Sequence, residues 1–372
     1  MRVLFINENT LGHRSYLEPF ALSLRNQFGD RFEVDWMDAT PLPAAEARWA
    51  EMSIPLLRRW GLDLQRLRWR WLVSRSVCRR GMEAHARRPL DAIVLNTQSI
   101  GLTLPRWKDH PPLWVALDAT FSQLARTPWF SPASEGELLP GLSNRPLIRL
   151  ERRLFRQATG FLPWSPGVRD SLMNEYGVES ARVAVLPPSV SHVAKAPRPV
   201  PVPGERAKLL FVGGDFARKG GNTLVEAFRS GLAERCELDI VTQSAVPESP
   251  GIRVHKGLRA GDARWTQLWE SADIFIFPSR LETFGIVLVE ALGFGVPVVS
   301  SGAGAARFVL GDGAAGIVLE EPDVDGLRGA VTNVLDAPSG ARARAARGLE
   351  RVRAHFDLAG NVVRLAECLS RP

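Results

Sequence analysis

The feature that most narrows the fold is an alternation of strand and helix patterns that runs once, breaks at a proline-rich stretch, and runs again over 372 residues. In the first run, RVLFIN (2–7), FEVDWMD (32–38), AIVLNT (92–97), LWVALD (113–118) and GFLPWS (160–165) are short apolar segments ending in polar residues, which predicts strands. SYLEPFALSLRNQF (15–28) repeats apolar residues at helical spacing, and VRDSLMNEYGV (168–178) reads as a helix closed by Gly177. RVAVLPP (182–188) predicts one further strand. Residues 189–207 then carry Pro197, Pro199, Pro201 and Pro203 without periodicity, the pattern of a stiffened linker.

The second run begins at AKLLFVGG (207–214) and continues through ELDIVTQ (237–243), IRVHKG (252–257), DIFIFPS (273–279), VPVVSS (296–301) and GIVLE (316–320). Helical patterns such as GNTLVEAFRSGL (221–232) fill most of the gaps. Such alternation makes parallel sheets covered on both faces. An α/β chain of two doubly wound, Rossmann-like domains facing an interdomain cleft is therefore expected, with ligands beyond the carboxyl ends of the strands. The expected division is 1–190 for the first domain, 191–206 for the linker, 207–355 for the second domain, and 356–372 for a helix that packs back on the first.

Composition limits the setting. Apolar content of 45% and charged content of 23% are ordinary for a globular protein. Cys78, Cys236 and Cys368 are far apart and form no C-x-x-C pair, which argues against a disulfide framework or zinc site and for a reducing compartment. MRVLFINENT runs straight into a strand without the long apolar stretch of a signal peptide. The apolar residues 283–302 are interrupted by Glu290, Pro297 and glycines, so they do not read as a membrane span. A cytoplasmic protein is expected. Forty-two arginines against five lysines suggest a GC-rich bacterial source.

Two loops carry the chemistry. In FVGGDFARKGGN (211–222) a buried strand runs into Gly213 and Gly214, and Arg218 and Lys219 precede two more glycines and a helix. Glycines let a phosphate approach the backbone, the helix start offers amides, and the cations neutralise charge. A solvated turn with two surface cations would look the same. The segment is neither a Walker A loop nor a G-x-G-x-x-G fingerprint. In SRLETFGIVLVEALGFGVPVVSS (279–301), Glu282 and Glu290 stand in the most apolar neighbourhood of the chain. An unpartnered buried carboxylate costs several kcal/mol, so something must compensate. Glu282 falls in a loop at a strand's carboxyl end, and Glu290 about one turn into the next helix. Both are suited to accept hydrogen bonds from a polyhydroxylated ligand. The plainer reading leaves Glu282 exposed and Glu290 bonded to a nearby amide.

ETFGIVLVE matches the Glu-x-Phe-Gly-x4-Glu signature of retaining nucleotide-sugar glycosyltransferases with the GT-B fold, especially the group resembling glycosyltransferase family 4. FVGGDFARKGG resembles that group's strand-to-Lys-Gly phosphate segment, and SPGVRDSLMNEYGVESARVAVLPPSV (165–190) resembles its passage before the interdomain linker. The resemblance implies that Gly213, Gly214, Arg218 and Lys219 hold the donor diphosphate and that Glu290 binds the ribose hydroxyls. Glu282, with Thr283, Phe284, Gly285 and Ile286, would grip the donor sugar. Gly12 and His13, in the loop after the first strand, would lie near the donor phosphate and the acceptor. Many relatives carry a histidine after a later strand; here that place reads LWVALDATF, leaving Asp118 and Thr120 as substitutes.

The implied reaction moves a hexose from a UDP-, GDP- or other NDP-sugar, with retention, to a hydroxyl of a polysaccharide, a lipid-linked glycan or a small molecule. No protein nucleophile, resident metal or further cofactor is required. A sugar-nucleotide 2-epimerase of the same fold and a non-catalytic sugar-nucleotide-binding protein are the alternatives.

The net charge of +7 is concentrated: residues 48–88 hold eleven arginines against three acids. Within 53–80, Trp60, Leu64, Leu67, Trp71 and Cys78 share a helical stripe and the arginines take much of the rest. This is either a helix packed on its domain with a solvated cationic face or a surface drawn to anionic lipid, placing the protein peripherally on the inner face of a membrane. No nucleic-acid recognition motif accompanies the charge.

Overall fold

The computed structural model describes residues 1–9, 12–52, 64–127, 144–199, 205–247 and 249–371. It divides into two compact units, Met1–Pro187 with Leu358–Pro372, and Pro188–Asp357.

The first unit is built on a parallel sheet of β1 (Arg2–Asn7), β2 (Glu33–Asp38), β3 (Ala92–Asn96), β4 (Leu113–Leu117) and β5 (Gly160–Pro163), in the order β2-β1-β3-β4-β5. β3 and β4 are buried at every residue, which is why AIVLN and LWVAL are unbroken apolar runs. Its helices include α1 (His13–Phe28), α2 (Ala44–Glu51), α3 (Gln65–Arg87), α4 (Asn144–Gln157) and α5 (Pro166–Tyr176). α5 starts with Pro166 and closes on Gly177 in the left-handed region (φ 68°).

Two expectations for this unit need correction. RVAVLPP makes only a single bridge, Val183 to Phe161, although the amides of Ala184 and Leu186 donate to the carbonyls of Phe161 and Pro163 at 2.9 Å. Pro187 and Pro188 then have no N–H to extend a ladder. On α3 the face against the sheet is Leu72, Val73 and Val77, with Cys78 at its edge, and Gly81 lets Trp107 close in. Leu64 is exposed and Trp71 half-buried, so the tryptophan-bearing stripe is not the packed one; Trp60 lies outside the described residues, with the rest of 53–63.

The second unit holds β6 (Ala207–Val212), β7 (Cys236–Val241), β8 (Ile252–His255), β9 (Ile274–Phe277), β10 (Val298–Ser301) and β11 (Ile317–Leu319), all parallel, in the order β11-β10-β9-β6-β7-β8. Counted from β6, this is the doubly wound order 3-2-1-4-5-6, and the order reverses between β6 and β9. Its helices are α6 (Gly221–Ala227), α7 (Ala263–Ser271), α8 (Ile286–Gly293), α9 (Ala306–Leu310), α10 (Val324–Asp336) and α11 (Pro338–Arg351).

The proline-rich segment is bonded to this unit. Val190 N donates to Phe356 O at 2.9 Å, Ala194 N to Gly293 O at 2.7 Å and Arg198 N to Gly295 O at 2.9 Å. The His192 ring stacks on Phe294 at 4.1 Å. Residues 200–204 of the expected linker lie outside the described residues. The last helix, α12 (Leu358–Leu369), returns to the first unit and packs on α1. Among the described residues no helix is long and apolar enough to cross a membrane.

Candidate active site

The reversal of strand order in the second unit puts two loops side by side, 213–220 after β6 and 278–285 after β9. Gly220 makes their approach possible. Its φ is 78°, and a Cβ there would stand 2.1 Å from the Pro278 carbonyl oxygen. Lys219 is thereby held against the second loop. Its Nζ donates to Glu282 Oε2 and lies 5.0 Å over the Phe277 ring. The lysine side chain is 14% exposed and the glutamate 9%. Burial lowers the lysine pKa, and the Glu282 carboxylate opposes that shift.

Arg218 stands beside this pair. Its Nε donates to Asp215 Oδ2 at 3.1 Å and its Nη1 to the Leu281 carbonyl at 3.0 Å. Glu282 Oε1 accepts from the Thr283 amide at 3.1 Å. Gly213 abuts the Lys219 stem, and the Gly214 carbonyl accepts from the hydroxyls of Thr242 and Ser244 at 3.3 Å. Phe284 is buried, Gly285 caps α8 with φ 85°, and Ile286 opens the helix. Two cations and a carboxylate are thus fixed where a doubly wound sheet receives a ligand.

Glu290 is the fifth residue of α8. The residue as a whole is half-buried, yet its Oε2 is sealed from solvent and has no hydrogen-bond partner among the described residues. Burial alone pushes the carboxyl up to about 7. The amide partner that the plainer reading offered is not made at this oxygen.

In the first unit the expected residues sit at two strand ends. Gly12 precedes α1 and its carbonyl accepts from the Tyr16 amide at 3.2 Å. His13 opens α1, its carbonyl accepts from Asn96 Nδ2 at 3.0 Å, and its ring is 5.5 Å from that of Trp164. Asp118 follows β4 and is half-buried. Thr120 is fully buried: its hydroxyl accepts from the Gln123 amide at 3.1 Å and pairs with Ser171 Oγ at 2.8 Å, capping the helical turn Phe121–Leu124.

Several site neighbours escaped the sequence reading. Asp215, three residues before Arg218, was legible as its local acid; Phe277 beneath Lys219 was not. Glu8, just past β1, accepts from Thr97 Oγ1 at 2.7 Å and from Ser99 Oγ, where the first sheet reverses its order between β1 and β3. Glu151, fully buried on α4, accepts from the Phe121 amide at 2.8 Å, from Gln98 at 3.1 Å and from the Tyr176 hydroxyl, and burial pushes its carboxyl up to about 8. Among the described residues no group of three or more His, Cys, Asp or Glu is gathered to hold a metal ion.

Known proteins place this geometry. Residues 206–337 match the family model described as glycosyl transferases group 1. The chain is 28% identical over 240 residues to a glycogen synthase of Mycobacterium tuberculosis, an alignment covering 58% of this chain and 55% of that protein. It thus spans about half the length of the curated relatives it matches. The sucrose-phosphate synthase of Thermosynechococcus elongatus superposes with a TM-score of 0.72 at 18% identity, covering 99% of this chain and 98% of that one. Anabaena HepE, solved in complex with UDP and glucose, superposes with a TM-score of 0.68 at 15% identity over 100% of both chains. The chain thus has the GT-B fold, and its residues 206–337 match the group 1 glycosyl transferases.

Proposed function

We propose that the protein is a retaining hexosyltransferase that takes its sugar from a nucleotide diphosphate and delivers it to a hydroxyl of a glycan, a lipid-linked acceptor or a small molecule. The observation that carries this reading is the cluster of Arg218, Lys219 and Glu282 at the ends of β6 and β9. In the free protein Asp215 and Glu282 balance the two cations, so a diphosphate entering the loops meets guanidinium and ammonium groups already oriented. Glu290 supplies the complementary feature, a half-buried carboxyl with one oxygen unpartnered among the described residues, suited to accept from ribose hydroxyls at its accessible side. Glu282 and the backbone of Thr283–Ile286 hold the sugar. The complex of HepE with UDP and glucose supports a nucleotide-sugar donor.

In the reaction the bond from the anomeric carbon to the diphosphate oxygen breaks, with its electron pair leaving on the diphosphate. The acceptor oxygen bonds on the same face, and its proton passes to the departing diphosphate. Catalysis is then positioning plus electrostatic stabilisation of the leaving group by Arg218 and Lys219, with no cofactor beyond the donor. Acceptor recognition is assigned to Gly12, His13 and Asp118, with Thr120 supporting the β4 end from within.

Thermal-shift screening against UDP-, GDP-, ADP- and TDP-sugars tests the reading. The true donor at about 100 times its dissociation constant stabilises the fold by roughly 2.7 kcal/mol. Donor alone should then yield at most slow hydrolysis; conversion to an epimeric sugar nucleotide without acceptor would replace the transferase by an epimerase. No shift with any sugar nucleotide would overturn both.

A further inference from the structure

The outward face of α3 carries a feature that glycosyl transfer does not use. Leu64, Arg68, Trp71, Arg75, Arg79 and Met82 recur at three- and four-residue intervals, which places them on one stripe, opposite the packed Val73 and Val77. The stripe runs about 27 Å and alternates apolar with cationic side chains. Trp49, Met52, Leu64 and Met82 are four of the seven exposed large hydrophobics among the described residues, so exposure is concentrated around this helix and α2. Arg68 ties the two helices together, its Nε donating to the Trp49 carbonyl at 2.9 Å and its guanidinium 5.6 Å over the Trp49 ring.

At the carboxyl-terminal half of the stripe lies an open cavity of about 440 Å³. Trp71, Cys78 and Met82 make its apolar wall, and Arg75, Arg79 and Arg106 surround it; Glu83 is the single acid in the lining. Arg75 and Arg106 both lie over the Trp71 ring, at 5.6 and 5.9 Å from its centroid. The three guanidiniums are exposed, and none is ion-paired among the described residues. Two cations within 6 Å of one ring centroid, neither ion-paired among the described residues, favour an anion beside them. Burial pushes the Cys78 thiol up, so the cysteine is wall and not nucleophile.

We propose that this face docks on a membrane containing anionic phospholipid, a headgroup phosphate seating between Arg75 and Arg106 while Met82 and the exposed tryptophan and leucine enter the interface. A purely soluble phosphate explains the guanidiniums but not the apolar side chains alternating with them along the same stripe; a lipid surface accounts for both. The surface lies in the first unit and its test reads vesicle binding, so it stands apart from the glycosyl-transfer reading.

The test is sedimentation with phosphatidylcholine vesicles, with and without phosphatidylglycerol, at low and high salt. The protein should bind only the mixed vesicles and should be released by salt. Arg75→Glu with Arg79→Glu should weaken partitioning about tenfold or more, whereas Arg25→Glu with Arg342→Glu, an equal charge change on exposed positions elsewhere, should alter it by no more than about twofold. Met82→Ser, which leaves the charge intact, should also weaken it. All substituted side chains are exposed, so each variant should melt with the parent. Equal losses in the two double variants would reduce the effect to net charge and overturn the pocket. Unchanged binding in the Arg75/Arg79 variant, or displacement from vesicles by soluble glycerol phosphate, would overturn it as well.

Discussion

Replacing Glu290 with glutamine should make the free protein more stable and its donor binding worse. The carboxyl ionises near 4.5 when solvated and is pushed up to about 7 in the fold by burial alone. Between those values the native chain keeps a proton that the unfolded chain has released, so stability falls as pH rises from about 4.5 to about 7 and stays lower above it. At about 1.4 kcal/mol per pH unit of displacement, the ionised form costs the native state roughly 3 kcal/mol. Glutamine removes that cost at pH 8 but leaves a buried amide donor, which takes back about 1 kcal/mol or more. A net gain of about 1–2 kcal/mol, or several degrees in Tm, is expected at pH 8. At pH 5, where the parent carboxyl is already neutral, the gain should vanish. Donor affinity should move the other way, weakening about 10- to 100-fold through the lost charge-assisted bonds to the ribose. For the parent, donor affinity should rise with pH through about 7 as the carboxylate forms. Thermal melts at the two pH values and titration with the donor found by screening read both arms. Equal destabilisation of the glutamine variant at pH 5 and pH 8 would show that the carboxylate is well satisfied in the free protein, and the argument from its missing partner would fail.

Lys219→Ala and Glu282→Ala should each cut turnover at least about tenfold, or 1.4 kcal/mol of transition-state stabilisation, in a donor-hydrolysis or transfer assay. Each also strands a buried charge at a cost of roughly 3–5 kcal/mol, so Lys219→Met combined with Glu282→Gln should recover Tm without recovering turnover. Gly220→Ala should destabilise the second unit by more than about 2 kcal/mol in denaturant titration, because its positive φ and the Pro278 carbonyl both exclude a Cβ. Glu151, with its carboxyl pushed up to about 8, is neutral at pH 7; Glu151→Gln should then cost less than about 1 kcal/mol, and Glu151→Ala about 2–4, by removing the carboxyl that the Phe121 amide, Gln98 and Tyr176 share.

The strands and the two site loops were legible for a single physical reason. Strands buried on both faces must be continuous apolar runs, and the residues that end them turn polar where the chain leaves the sheet. That logic found Lys219 and Glu282 at the ends of β6 and β9 although sixty-three residues separate them. It failed where long-range partners decide. Glu151 sits in LIRLERRLF among arginines and reads as solvated, yet its burial is compensated by Gln98 and Tyr176, which no local pattern announces. RVAVLPP has strand composition, but its prolines end the pairing that Val183 begins.

The arginine-rich segment shows the same limit in its sharpest form. By charge count every arginine of 48–88 is equivalent; in the fold they divide by partner. Arg80 donates to the carbonyls of Asp38 and Ala39 at 2.7 and 3.3 Å, holding the end of β2. Arg70 lies over the Phe121 ring at 5.3 Å, where burial lowers its pKa, and Arg88 pairs with Glu33. These guanidiniums work inside the first unit and cannot also serve an external anion without loosening it. Arg75 and Arg79, joined by Arg106 from a different segment, are exposed and make no ion pair among the described residues, and the ring under Arg75 and Arg106 is Trp71 of the same surface. The attraction of this face for a membrane should therefore scale with those three side chains and not with the local excess of eight positive charges, which is why reversing Arg75 and Arg79 discriminates where a reversal of Arg66, Arg68 and Arg70 would mix surface charge with internal structure.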